Sequence, residues 1–503
     1  MSAPHVTRHS VRASAIIRSD QIHRYMDHGR DFIQDDLIWE KIHKQKNPDP
    51  VRIRDIIQKS LTIQTLNPDE TAALLNVKDK DLWQEMRGAA IEVKKRVYDN
   101  RVVTFAPLYC SNLCINNCLY CGFRSENKAV QRRMLTQAEV RRETEVLAGE
   151  IGHKRLIVVY GEHPKTGLDY MIETIRTIYD VKVKTYKGTG NIRRVNVNAA
   201  PLSIDDLVRL NGSGLGTYQV FQETYHHETY RKLHPVNTVK GNYAWRLYSL
   251  HRAQEAGVDD VATGVLFGLY DWRFELMGLL YHARDLEQKM GVGPHTVSFP
   301  RLEAAINTPF IDKTPYRVSD EDYKKILTVI RLSIPYAGMI ITARETPEII
   351  REMIPMCTQR DASSRIGVGA YSDPYEKQEA HRQQFILGDT RSLDEVIREL
   401  AQMGYITSFC TAGYRCGRTG KRIMDLLRSG REGQFCKLNA VLTFREWLDD
   451  FASEETKKAG ETVIQKEMEE IKNRCPSVYS KAICRKLDSY YDLIKKGDRD
   501  LYF

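Results

Sequence analysis

Three cysteines, Cys114, Cys118 and Cys121, stand three and two residues apart, and Tyr120 lies immediately before the last of them. Thiolates at this spacing can hold three irons of a 4Fe–4S cube. They leave the fourth iron open to a small molecule that binds through an amine and a carboxylate. Zinc is the competing reading, but structural zinc takes four ligands, usually as two C-x2-C pairs or a Cys/His mix. No histidine lies between Cys121 and His153. Cys110 repeats the three-residue spacing upstream, yet only 114/118/121 closes with the two-residue step. Cys110 is therefore read as a neighbouring thiol and not a ligand. Ten cysteines in 503 residues are too few for a disulfide scaffold, and most gather at 110–121 and 410–436, which suits metal in a reducing compartment.

A chain of this length can form a large barrel with a flanking domain. It holds no apolar run of transmembrane length, so no membrane span is expected. The net charge of +9 is spread without a dominant basic block and gives no ground for a nucleic-acid partner. The first nineteen residues contain Arg8, Arg12 and Arg18 and no acidic residue. They read equally as an organelle presequence or as a frayed basic terminus, which leaves the cytoplasm and a hydrogenosome- or mitochondrion-like organelle both open.

Residues 1–60 form a basic segment and a polar, helix-like lead-in. Helical spacing of Leu, Ala, Trp83, Met86 and Val93 over 68–75 and 81–98 predicts a helical cap spanning 61–100. From residue 102 strand and helix alternate. Strands are predicted at 102–108, 155–160, 194–198, 216–221, 261–267, 295–299 and 338–342, with a less regular eighth within 353–366. Helices are predicted at 135–151, 170–178, 204–210, 241–256, 274–290 and 320–333. This beat predicts an α/β fold, a parallel (βα)8 barrel of the TIM type over 101–384. The C-terminal strand ends of such a barrel carry the active site, and the cysteine loop, Gly161-Glu162, Gln222-Glu223 and Arg344 all fall there. After about residue 385 the beat stops, and 385–503 is expected to form a mainly helical domain, with one amphipathic helix over 444–472.

The pattern C-x3-C-x-aromatic-C resembles that of radical S-adenosylmethionine (SAM) enzymes. Phe105-Ala-Pro-Leu-Tyr109, Tyr120-Cys121-Gly122, Gly161-Glu162-His163-Pro164, Asn196-Val-Asn198 and Phe221-Gln-Glu-Thr-Tyr225-His226 are similar to the aromatic-amino-acid-lyase branch of that superfamily, as are Leu266-Phe-Gly-Leu-Tyr270-Asp271 and Gly291-Val-Gly-Pro-His-Thr296. The resemblance covers about residues 60–470. It implies a 4Fe–4S cluster on Cys114, Cys118 and Cys121, with SAM as cofactor. Tyr120 would lie near the adenine, Gly161 and Glu162 at the SAM amine, and Arg246 at the SAM carboxylate. Glu223 would polarise SAM or substrate. It further implies L-tyrosine as substrate, split at Cα–Cβ into p-cresol and dehydroglycine, with Arg344 clamping its carboxylate and Thr342 donating a hydroxyl. The alternatives are ordinary structural roles, for Arg344 an ion pair with Glu345.

The C-terminal segment resembles the members of this branch that serve FeFe-hydrogenase maturation, which act with other maturation proteins such as a scaffold GTPase. Their accessory-cluster motif is C-x2-C-x22-C. Cys410 and Cys436 occupy its first and third positions, but the second is Gly413, which has no ligand atom. Either Cys416 substitutes, giving a second iron–sulfur cluster on Cys410, Cys416 and Cys436, or that cluster is absent. His282 is a candidate for an additional iron, with a core histidine as the alternative. An iminoacetate-forming lyase that stops at dehydroglycine and a non-catalytic iron–sulfur paralogue remain as competing readings.

Overall fold

A computed structural model describes residues 16–373 and 380–503. The basic terminus 1–15, and with it most of the presequence question, lies outside them. Nine parallel strands form one sheet: β1 (Arg101–Ser111), β2 (Arg155–Tyr160), β3 (Arg194–Asn198), β4 (Tyr218–Gln219), β5 (Val261–Gly264), β6 (Thr296–Ser298), β7 (Gly338–Ile341), β8 (Gln359–Asp361) and β9 (Ile406–Ser408). Each of β1 to β7 pairs with the next. β8 pairs with β1 across Val103↔Gln359 and Phe105↔Asp361, which closes an eight-stranded barrel. β2 and β7 are short apolar runs, and nearly every residue of the barrel strands is buried, as in a parallel sheet covered on both faces.

β1 has eleven residues, all buried, and three partners. Its N-terminal end also pairs with β9, Arg101↔Ile406 to Val103↔Ser408. This ninth strand was not expected, and it brings the C-terminal segment directly onto the barrel floor, the end where the strands begin. The eighth strand is narrower than the 353–366 window, because helix Pro347–Met353 and a 3-10 turn at Ile354–Met356 occupy its first part.

The helix expected over 241–256 is two, Tyr243–Leu247 and Ser249–Glu255. The long helix expected over 444–472 is also two, Arg431–Asp450 and Glu454–Asn473, because Ser453 accepts from the Thr456 N–H and caps the second. The N-terminal cap comprises Asp35–Lys44, Pro50–Leu61, Pro68–Leu75 and Lys80–Tyr98. Asn67 and Glu70 start the third of these with a reciprocal capping box. Among the described residues no helix is long and apolar enough to cross a membrane.

Candidate active site

At the C-terminal ends of the strands, the mouth, a cavity of about 240 Å³ enters the barrel. Cys114, Cys118, Cys121, Tyr120, Gly161, Glu162, Glu223, Arg246, Thr342 and Arg344 line it, whereas Gln222, expected at the same end, is buried outside its lining.

The cysteine loop leaves β1 and is clamped to the end of β2. The Ile115 N–H donates to the Glu162 carbonyl at 2.9 Å, and the Gly161 N–H to the Ser111 carbonyl at 2.9 Å. A Cβ at Gly161 would lie 2.1 Å from the Leu113 carbonyl oxygen, so only glycine lets the loop pack here. Asn116 ties the loop a second time, donating from Nδ2 to Glu162 Oε2 at 2.6 Å and to Cys114 Sγ at 3.8 Å. Gln384 donates to Cys121 Sγ at 3.5 Å and accepts from the Tyr109 hydroxyl at 3.0 Å. All three thiols are free. Burial pushes the Cys118 thiol up to about 12 and raises that of Cys114.

These residues fit an iron–sulfur cube. Three thiols share one cavity wall, and amide donors already face two of the sulfurs. A cube takes one thiolate per iron, so its ligands stand apart. A single zinc ion needs convergent donors, and among the described residues no group of three or more His, Cys, Asp or Glu side chains converges on one ion.

Tyr120 is buried against His234. The His234 Nδ1 lies 2.8 Å from the Tyr230 carbonyl, which can only accept. Nδ1 therefore carries the proton, and Nε2 accepts from the Tyr120 hydroxyl at 2.8 Å. Burial holds this imidazole neutral, with its pKa lowered to about 3.

Glu223 sits at the end of the fourth strand in the left-handed region, φ 73°. The two residues after it are pinned by Glu275, which accepts from the Thr224 hydroxyl and, at 2.7 Å, from the Tyr225 N–H. The Glu223 carboxylate accepts from Lys240 Nζ at 2.9 Å and from Arg246 Nη2 at 3.3 Å. Burial alone would raise its pKa, but these two cations hold it below the ordinary glutamate value. Arg246 also donates from Nε to the Phe221 carbonyl at 2.5 Å.

Arg344 does not pair with Glu345. Glu345 is buried under Arg301, whose Nε lies 3.0 Å from it, and Arg301 also reaches Asp320. Among the described residues the Arg344 guanidinium donates no hydrogen bond and has no carboxylate within 4 Å; it lies 3.3 Å over the Phe385 ring. Its desolvation lowers its pKa. Two residues before it, the buried Thr342 hydroxyl has no hydrogen-bond partner. A free guanidinium and a free hydroxyl thus line the same cavity as the thiols, at the end of a strand separated from β1 only by β8.

Sequence reasoning missed Lys240, which sits in an irregular loop with no motif around it. It also missed Gln384 and Phe385, which lie where the strand–helix beat fades; nothing in their residue types marks their place beside Cys121 and Arg344.

The floor of the barrel holds a second, much smaller cavity of about 20 Å³, lined by Arg101, His295, Tyr414, Glu432, Cys410 and Cys436 among others. Cys410 Sγ accepts from Arg101 Nη1 at 3.3 Å, and the Cys436 thiol donates to Glu432 Oε1 at 3.1 Å. Cys416 does not reach this cavity. Its thiol donates to the carbonyl of the last residue, Phe503, at 3.4 Å. Gly413 faces Glu432 and Arg418 instead, where a Cβ would have 3.4 Å or more of room. A cluster on Cys410, Cys416 and Cys436 therefore does not fit: two thiols are present, and the third direction ends in glycine. His282 is also elsewhere, buried and bonded through Nδ1 to the Tyr225 hydroxyl at 2.9 Å. The histidine at the floor is His295.

A model of the radical SAM superfamily matches residues 108–276, and one of the biotin and thiamin synthesis associated domain matches 298–406. The 2-iminoacetate synthase of Escherichia coli (strain K12) is 29% identical over 352 residues, covering 69% of this chain and 88% of that protein. A crystal structure of HydG, a maturase of the FeFe-hydrogenase, superposes with a TM-score of 0.87 at 46% identity, over 94% of this chain and 100% of that one. The FeFe-hydrogenase maturase HydG from Carboxydothermus hydrogenoformans gives 0.76 at 36% identity, over 94% and 99%.

Proposed function

The chain belongs to the HydG family of radical SAM enzymes, and from that membership we propose that it cleaves L-tyrosine at Cα–Cβ into p-cresol and dehydroglycine for FeFe-hydrogenase maturation. The observation that carries the substrate reading is Arg344. An unpaired guanidinium beside an unpaired Thr342 hydroxyl, in the cavity that three thiols also line, is suited to an amino-acid carboxylate.

When bound, the cluster and SAM supply the radical that takes a hydrogen atom from the substrate. The chain's residues bind and orient. Cys114, Cys118 and Cys121 hold the cluster, and Gly161 and Glu162 present a backbone edge and a carboxylate to the SAM amine. Arg246, anchored on Phe221 and Glu223, keeps Nη1 for the SAM carboxylate. Glu223, kept ionised by Lys240, retains lone pairs for a bound donor. Tyr120, fixed by His234, walls the adenine side. Arg344 and Thr342 would hold the tyrosine carboxylate through the guanidinium and the hydroxyl.

The floor cavity favours a second reading of what happens next. With two thiols and Gly413, the chain releases dehydroglycine instead of converting it to carbon monoxide and cyanide. The test is anaerobic turnover of reconstituted protein with SAM and tyrosine in a reducing buffer. p-Cresol supports the lyase reading and its absence overturns it. Carbon monoxide captured on reporter haemoglobin would overturn the second reading.

A further inference from the structure

The floor cavity has a charge surplus that its own residues do not settle. Arg101 is 4% exposed and Arg155 is 2% exposed, and neither has a carboxylate within 4 Å among the described residues. The two nearby carboxylates already face other cations: Asp260 is paired with Arg194 at 2.6 Å and lies 3.8 Å from His295 Nδ1, and Glu432, itself on the cavity wall, lies 3.4 Å from Arg418 while it accepts from Cys436. Arg101 spends one donor on Cys410, and its Nε is buried without a partner. Arg155 makes no side-chain hydrogen bond, and its Nε and Nη1 are both buried and unpartnered. His295, on the cavity wall, turns Nδ1 toward Asp260 Oδ1 at 3.8 Å and Nε2 toward the Tyr414 hydroxyl at 3.5 Å, so it adds no unpaired charge. Even with the Cys410 sulfur counted as a thiolate, one of the two guanidinium charges is left over. A buried, uncompensated cation is too costly to be left so.

Size decides what settles it. A cavity needs roughly 10–15 Å³ to hold one water-sized particle. The floor cavity, at about 20 Å³, takes one such particle and not an iron–sulfur cube. We propose that the cavity enclosed by Arg101, His295, Cys410 and Cys436 binds one small monovalent anion of halide size, in a place where three thiols would otherwise hold a cluster. Arg101, with its unpartnered Nε, is on the cavity wall, and the charge of Arg155 is felt at Cys410 and Tyr414 on the same wall. Oxyanions the size of sulfate do not fit.

Bromide is the probe. Crystals of the anaerobically reconstituted protein grown in sodium bromide should show one anomalous peak in the cavity. In solution at constant ionic strength, bromide in place of acetate should raise the melting temperature saturably, by about 2 °C, with half-effect at millimolar concentration. Arg155→Met removes the surplus charge at similar volume. It should abolish the bromide shift, and the variant should melt no lower than the wild type does in acetate. No peak overturns the proposal. A peak with no saturable shift means an adventitious ion only and also overturns it. So does a second 4Fe–4S signal in the wild type that disappears in Cys436→Ala, since the cavity would then be a cluster site. The crystallographic arm needs no variant, so a misfolded Arg155→Met leaves the proposal testable, and neither arm depends on the lyase reading.

Discussion

The mouth and the floor of this barrel are built from the same side-chain chemistry, thiols and buried guanidinium groups, yet they differ in two quantities. The mouth offers three thiols and about 240 Å³; the floor offers two and about 20 Å³. Each end has a guanidinium with no carboxylate partner, Arg344 above and Arg155 below. The difference teaches how to read such a group. An unpaired cation that lines a roomy cavity is set to receive an organic carboxylate, whereas one sealed behind a cavity of single-ion size needs a single ion. Residue type alone would have equated the two ends.

The largest effect that can be asked of this contrast is at the mouth. Cys118→Ser should drop the cluster that responds to SAM and bring p-cresol formation to background, while bromide still binds at the floor. Iron and sulfide content, low-temperature EPR and the melting shift read both ends at once, and a surviving SAM-responsive signal would remove the basis of the mouth assignment. Arg344→Met should lower kcat/KM for tyrosine on the order of 10- to 100-fold, the value of a charged hydrogen bond to a carboxylate. SAM binding should be unchanged, and an equal loss of it would mean that Arg344 faces the cofactor instead. Gly413→Cys attacks the contrast from below. The new Cβ meets nothing nearer than Glu432 Oε1 at 3.4 Å, so the fold should tolerate it. Because the floor has room for a single ion and not for a cube, iron after reconstitution should stay at about four per chain. A rise to about eight, with loss of the bromide shift, would show that the missing thiol, and not room, limits the floor.

The smallest effect touches neither cavity. His227, two residues past the segment pinned by Glu275, is held by the lead-in: Asp35 lies 2.8 Å from Nδ1 and Asp31 3.1 Å from Nε2. Burial opposes its charge, but the two carboxylates outweigh that and raise its pKa to about 9. Such a group stabilises the fold fully below its unfolded pKa of about 6.5 and loses that contribution as the pH rises through 9. Because the site is partly open to solvent, the loss should be about 1 kcal/mol. Denaturant melts at pH 6 and pH 9.5 should show it in the wild type and not in His227→Gln.

The barrel was legible in the sequence because its strands are short β-branched runs, and the mouth because its residues sit at strand ends within specific motifs. What stayed hidden was long-range. β9 is three residues, Ile406, Thr407 and Ser408, too few to carry a period, and only its pairing with Arg101–Val103 makes it a strand. The break at residues 451–453 was masked by the continuous amphipathic pattern on either side, although Ser453 is an ordinary cap. Lys240 and Gln384 reach the site through loops, whose paths no periodicity encodes. At the floor the spacing suggested that Cys416 could stand in for a ligand. The local turn sends it instead to the carbonyl of Phe503, a contact made across 87 residues that no local pattern announces. The alternative of an Arg344–Glu345 pair fell for a similar reason, since Arg301 comes from a different strand end.

The first strand of the barrel waits for partners made last. β1 must find β8 and then β9, and both come from the second half of the chain. During synthesis the cysteine loop that extends from β1 is therefore exposed on an unclosed sheet until residue 361 has been made. A cell that loads iron onto this protein has a reason to wait for the full chain, because thiols presented earlier stand open to oxidants and to stray metal ions.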